Sequence, residues 1–290
     1  MARPPTDGGA LSLTAANMPI ANFEIACVVI IGLSLWAMSR SRPPLGLLAD
    51  YLALAAAAWM GEDACVRLYR HYSYSPEWHG RLDEVPVLVP LIWPLVILSA
   101  RGVVSSLWPD LASSRGRLIE AGAVGAVVAF DASLVEVVAV RAGLWSWAEP
   151  GHLGVPLIGI LGWGYFAIGV DIALSWKQPR RAIGVLLLGS LFVHCLLLAT
   201  WWGLFRWTLR GDFGHRSLIV IFVLSLAALC LVIASRRRGG GIPLSVALPR
   251  MIAASLFLAL LVSTAAGDGP LWAHTIAVAI PYLAATRFSR

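Results

Sequence analysis

Ionisable residues inside apolar runs are the first candidates for chemistry in this sequence. A charged side chain near the middle of a membrane-spanning helix costs roughly 2.5–3.5 kcal/mol on insertion scales. Asp131 falls near the middle of one apolar run and Glu136 five residues later; Glu62 and Asp63 close another, and His194 sits inside a third beside Cys195. On a single helix, Asp131 and Glu136 would be about 7.5 Å apart along the axis and about 140° apart around it. They would face different neighbours yet could line one cavity. Aromatic loops follow the acids: Tyr72-Ser73-Tyr74 after Glu62 and Asp63, and Trp145-Ser146-Trp147 after Glu136. A carboxyl buried beside aromatic faces can hold its proton and deliver it to an alkene. The ring faces then stabilise the resulting cation, by about 2 kcal/mol each when desolvated. Such chemistry calls for an isoprenoid that enters from lipid.

Each of these residues also has an ordinary reading. Asp63 and Arg67 are spaced i,i+4, the arrangement of a helix ion pair. Glu136 can pair with Arg141 or Arg67, Asp171 with interfacial Arg or Lys, and Asp50 and Glu24 near span ends are expected to be solvated. His194 reads as a helix-packing residue as readily as a ligand contact. Asp131 has no partner nearby in sequence. The 13 Trp include interface-belt positions, but Tyr72, Tyr74, Trp145, Trp147, Trp201 and Trp202 all fall at the end where Glu62, Asp63 and Glu136 lie.

Composition defines the elements that must position these groups. Of the 290 residues, 59% are hydrophobic and 13% charged, and mean hydropathy is +0.78. A soluble domain carries about 25% charge, and one of this size leaves too much surface wet to hide so much apolar material. The sequence is therefore all-α: a polytopic helical membrane bundle. Apolar runs of spanning length are Ile20–Met38, Leu45–Tyr69, Val85–Val104, Leu118–Val140, Val155–Trp176, Ala182–Trp202, Leu218–Ala234 and Met251–Ala266. A shorter run, Leu271–Ala285, contains Pro281, so eight or nine spans are expected. Residues 1–19 read as a flexible leader and 20–290 as one transmembrane domain.

The net charge of +6 reflects Lys and Arg placed between apolar runs, the positive-inside pattern, and no nucleic-acid module is evident. An N-terminus outside puts Arg40, Arg42, Lys177, Arg180, Arg181 and the Arg236–Arg238 run on the inner side, as expected in a bacterial inner membrane. Cys27, Cys65, Cys195 and Cys230 are scattered, and the six His show no HxxH or HxxxH spacing. No metal or cofactor is expected.

The sequence contains a repeat. Asp63 and Glu136 are 73 residues apart, as are Tyr72-Ser73-Tyr74 and Trp145-Ser146-Trp147. After a three-residue length change, Val85-Pro86 matches Val155-Pro156 and Trp93 matches Trp163. The copies, about 45–104 and 118–176, lie two spans apart and so run in the same direction. They are parallel repeats, unlike the inverted repeats of many transporters.

Tyr72-Ser73-Tyr74-Ser75-Pro76, Val85-Pro86, Pro90 and Trp93 resemble the first half of the membrane carotenoid-biosynthesis family. That family includes the carotenoid 1,2-hydratases acting on bacterioruberin and gamma-carotene precursors. Asp131, Glu136, Gly143-Leu144-Trp145-Ser146-Trp147, Gly154-Val155-Pro156-Leu157 and Leu161-Gly162-Trp163 are similar to its second half. The likeness covers about Glu62 to Asp171. It implies an enzyme that adds water across a terminal isoprenoid double bond without a redox cofactor. Asp131 matches the acid before the Trp-x-Trp loop, and Glu62 or Asp63 the acid before the Tyr-x-Tyr loop. A polar residue expected before Leu-Gly-Trp is replaced around Gly159, and Val135-Glu136 stands where an acid-Pro pair is expected.

These readings converge on Asp131, Glu136, Glu62 and Asp63 as catalytic acids, with Tyr72, Tyr74, Trp93, Trp145, Trp147, Trp163 and His194 against the substrate. The alternatives are a cyclase using the same acid chemistry and a proton-coupled transporter or lipid-binding protein. Partners are a hydrophobic isoprenoid or carotenoid and membrane lipid.

Overall fold

The computed structural model describes residues 20–40, 43–109, 116–149, 151–205, 233 and 242–285. Among these, eight α-helices carry nearly all the regular structure. They are α1 (Ile20–Ser39), α2 (Pro44–Arg67), α3 (Leu88–Leu107), α4 (Arg117–Arg141), α5 (Leu157–Leu174), α6 (Arg180–Leu197), α7 (Leu244–Ala265) and α8 (Gly269–Ala285). A π-helical segment, Leu198–Phe205, continues α6. Seven of these helices are long and apolar enough to cross a bilayer. The chain is an integral membrane helical bundle. The expected span Leu218–Ala234 lies outside the described residues apart from Ile233.

Local chemistry sets the helix limits. Pro44 opens α2, where a missing N–H costs nothing because the first helical N–H groups have no intrahelical acceptor. Arg67 and Arg141 stand in the last turns of α2 and α4, complementing the negative end of the helix dipole. The final apolar stretch forms α8, with Pro281 inside the helix. The eighth expected span begins earlier than its hydropathy suggests. Helix α7 starts at Leu244, so Arg250, just before the span expected at Met251–Ala266, lies within the helix.

Four short strands form two small ribbons. β1 (Tyr72–Tyr74) pairs antiparallel with β4 (Trp145–Trp147), and β2 (Arg81–Leu82) with β3 (Val85–Pro86). In the first ribbon Tyr72 faces Trp147, Ser73 faces Ser146 and Tyr74 faces Trp145. Side chains alternate along a strand, so the four aromatic rings share one face of the ribbon and the two serines the other. Ser73 and Ser146 are exposed, with their Oγ atoms 3.3 Å apart.

This register is symmetric about the Ser73–Ser146 pair, which places a local two-fold axis through it. Trp93 on α3 and Trp163 on α5, the matched tryptophans of the repeat, meet with ring centroids 4.4 Å apart. Eight residues further along the same helices, Arg101 Nη1 lies 3.4 Å from Asp171 Oδ1. In chain order α2 and α3 flank β1 as α4 and α5 flank β4. α2 and α4 lead into the ribbon and α3 and α5 lead away from it. α4 and α5 cross closely because two glycines meet: a Cβ on Gly125 would stand 2.9 Å from the Gly164 carbonyl oxygen. Small residues at such crossings let membrane helices pack without a hydrophobic driving force.

Candidate functional site

Beneath the aromatic face of the ribbon, two carboxyl groups each sit in a cage of three donors. Glu62, in the last turns of α2, accepts at Oε2 from the hydroxyls of Tyr72 and Tyr74, the latter at 2.7 Å, and at Oε1 from Trp93 Nε1 at 2.8 Å. Glu136, in the last turns of α4, accepts at Oε2 from Trp145 Nε1 at 2.8 Å and Trp147 Nε1 at 3.0 Å. Its Oε1 accepts from Trp163 Nε1 at 2.7 Å. The cages touch through Tyr72 and Trp147, with ring centroids 4.7 Å apart, and through the Trp93–Trp163 contact.

The counterpart of Glu136 is therefore Glu62, not Asp63 as the 73-residue spacing suggests. One residue along a helix is a rotation of about 100°, so only one member of the Glu62-Asp63 pair can face the ribbon. Asp63 lies off the cavity and 3.9 Å from Arg67, as the i,i+4 spacing predicts. Glu136 has neither of its anticipated arginine partners. Arg141 instead bonds Asp268 at 2.9 Å, and Arg67 bonds Asp83.

Both cages open on a cavity of about 700 Å³ with mostly apolar walls, to which all eight helices contribute. Cavity-lining residues of α7 run from Ala247 to Leu261, about 21 Å at 1.5 Å per residue, or most of the roughly 30 Å hydrocarbon core. Glu62, Glu136, Asp131, Tyr72, Tyr74, Trp93, Trp145, Trp147 and Trp163 all line it. His194 does not: its ring packs edge-on against Tyr69, centroids 5.4 Å apart.

Asp131 lines the cavity but is not a lone acid. Arg250 of α7 and Tyr282 of α8 both donate to its carboxyl group, and Arg250 also donates to Ser99 Oγ at 2.9 Å. Its partners come from 119 and 151 residues away, which is why none was visible nearby. Sequence reasoning missed Arg250. An arginine inside an apolar helix is a recognised signal, but Arg250 stands just before the apolar run Met251–Ala266 and so outside the span expected there. Asp50 is not solvated either: it is buried and bound to Arg181 at 3.0 Å and Gln178 at 3.1 Å. Glu24 accepts from the backbone N–H of His79 at 3.0 Å.

The phenols of Tyr72 and Tyr74 are pushed well above the ordinary tyrosine value, first by burial and then by the adjacent Glu62 charge. They remain hydroxyl donors through the physiological range. Burial pushes the imidazole of His71, another cavity residue, down. Gly159 explains the departure noted before Leu-Gly-Trp. A Cβ there would stand 2.5 Å from Trp147 Cζ2, so the position is vacant to admit the indole. Among the described residues no group of three or more His, Cys, Asp or Glu could hold a metal.

The fold and site thus define a polytopic membrane protein with two caged carboxyl groups at the end of a long apolar cavity. The chain belongs to the carotenoid biosynthesis protein family, which it matches over residues 20–211. The match includes both cages, Ser99 and Asp131, and ends before Arg250 and Tyr282. No curated protein and no solved structure matches the chain.

Proposed function

We propose that this member of a carotenoid biosynthesis family adds water across a terminal C=C bond of an isoprenoid chain held in the cavity. The observation that carries this reading is the unequal pair of cages. Indole N–H groups only donate, whereas phenols both donate and accept. Glu136, bonded by three indoles, has the bonding of a carboxylate. Glu62, bonded by two phenols and one indole, has partners that can turn and accept when it carries a proton.

In this reading Glu62 in its neutral form gives its proton to the less substituted alkene carbon, and the adjacent carbon becomes a tertiary cation. The Glu136 carboxylate and the rings of Tyr72, Tyr74, Trp145 and Trp147 stabilise that cation. Water adds to it, and Glu136 takes the proton that the water releases. Alkene and water become a tertiary alcohol. A proton passing from Glu136 back to Glu62 resets the pair, with no redox change. Glu136 could equally take a proton from carbon after an internal alkene closes a ring, which is the cyclase alternative. With the N-terminus outside, the reacting end faces the outer side of the membrane.

The test is to reconstitute the purified protein with linear polyenes bearing terminal isopropylidene groups and follow products by mass and absorption. A gain of one water supports hydration. Unchanged mass with altered absorption supports cyclisation. pH-dependent flux without a product would replace both with a carrier. Glu62→Gln and Glu136→Gln should each lower product formation by about 10²–10⁴; full activity in both would overturn the proposed roles.

A further inference from the structure

Away from the two cages, a second polar group interrupts the apolar cavity wall. Ser99 on α3, Asp131 on α4, Arg250 on α7 and Tyr282 on α8 all line the cavity. Arg250 Nη1 donates to Ser99, Nη2 donates to Asp131 and, at 2.9 Å, to the Tyr282 oxygen, and the Tyr282 hydroxyl donates to Asp131. The guanidinium also lies over the Tyr282 ring, 5.0 Å from its centroid. Asp131 stands about 7.5 Å from Glu136 along α4, on the side away from the ribbon.

Helix packing alone is a poor reason for this quartet. A buried ion pair is often no more stabilising than apolar side chains of the same volume, and an intramembrane charge marks a functional position by default. Its chemistry specifies a ligand. The charges of Arg250 and Asp131 cancel, so the group suits a neutral ligand rather than a phosphate or carboxylate. A guanidinium has five N–H bonds. The bonds above use three, so Nε–H and one Nη1–H are not engaged by Ser99, Asp131 or Tyr282. Donors are in excess within the quartet, so it suits a ligand that accepts.

We propose that Ser99, Asp131, Arg250 and Tyr282 form a second binding site in the cavity that takes a neutral hydrogen-bond-accepting oxygen on the isoprenoid chain: a hydroxyl, ether or carbonyl. This rests on the reading of the cavity as an isoprenoid site and adds that the preferred ligand is already oxygenated. The reaction that supplies the substrate is then one that places oxygen on an isoprenoid chain.

The experiment compares farnesol, farnesyl methyl ether and the hydrocarbon farnesene as ligands of the full-length protein in lipid nanodiscs, read by tryptophan emission. Taking each probe as a ratio of variant to wild type removes its partitioning into lipid. The paired variant Asp131→Leu with Arg250→Met removes both charges together. It should weaken farnesol and the ether about tenfold, the effect of losing a hydrogen bond to a charged donor, and leave farnesene unchanged. An equal loss for all three probes, or no loss, overturns the proposal. Arg250→Lys, which keeps the ion pair but not the planar fork, provides the same comparison if the paired variant does not fold. Glu62→Gln and Glu136→Gln should retain the oxygen preference. If they also retained turnover, the hydration reading would fail and the oxygen site would stand.

Discussion

The first cage is built from two phenols and an indole, the second from three indoles, on matching segments of the sequence repeat. The same scaffold thus surrounds two carboxyl groups with partners of different hydrogen-bonding capacity. Where donors can also accept, a carboxyl group can gain and lose a proton without orphaning a buried partner. Where they only donate, protonation leaves an N–H facing an O–H. The packing beneath follows the rings. Gly159 leaves room for Trp147, while the position 70 residues earlier, below the smaller tyrosines, carries Val89. Duplication supplies two equivalent sites, and a few substitutions of matched volume make them complementary.

The largest expected effect tests whether both cages act in the reaction. Glu62→Gln and Glu136→Gln should each lower turnover by about 10²–10⁴, the range of general acid–base contributions, measured as product per enzyme in proteoliposomes. If only one variant lost activity, the division of labour would fail.

A sharper contrast lies in stability. In Glu62→Gln the new amide NH₂ can point at Tyr72 and Tyr74, whose oxygens accept. In Glu136→Gln the amide NH₂ must point at an indole N–H, which cannot accept. Glu136→Gln should therefore cost about 1–3 kcal/mol, the penalty for an unsatisfied buried donor, and Glu62→Gln far less. Denaturant unfolding in detergent measures both, and equal losses would erase the distinction. Gly159→Ala should cost about 1–3 kcal/mol by overpacking against Trp147 and disturb the second cage alone, seen as a change in indole emission that Val89→Ala does not reproduce.

The pH dependence of stability separates the cages more gently. Tyr72 and Tyr74 have folded-state values raised above the ordinary phenol value of about 10, by burial and Glu62. A raised value means stability is fully present below the unfolded value and is lost as pH rises from it toward the folded one. Unfolding free energy should thus be insensitive to these phenols up to about pH 9 and fall above about pH 10. Tyr72→Phe with Tyr74→Phe should flatten that fall, and an unchanged alkaline slope would show that these phenols do not titrate on unfolding. The smallest effect belongs to Asp63→Asn, which removes a pair with the half-exposed Arg67. A change within about 0.5 kcal/mol and unaltered turnover are expected; a large loss of turnover would return Asp63 to the site.

Much of the site is legible as a pattern in the sequence. Tyr72-Ser73-Tyr74, Trp145-Ser146-Trp147, Trp93 and Trp163 recur at nearly constant spacing, and all six aromatic residues meet the two caged acids. The choice between Glu62 and Asp63 was not legible, because a one-residue shift keeps the spacing plausible but turns the side chain by about 100°. Asp131 misled for a related reason. Its neighbours in the chain offer no partner, while Arg250 and Tyr282 arrive from α7 and α8.

The sequence by itself determined that the chain is a membrane-spanning helical bundle, that it contains a parallel duplication, and that acids and aromatic residues gather at one end of the copies. These follow from composition and period, which act along the chain. Tertiary structure alone decided which acids are caged, which are neutralised, and that one cavity joins them. Those outcomes depend on helix rotation and on contacts between residues more than a hundred positions apart, and no local spacing encodes either.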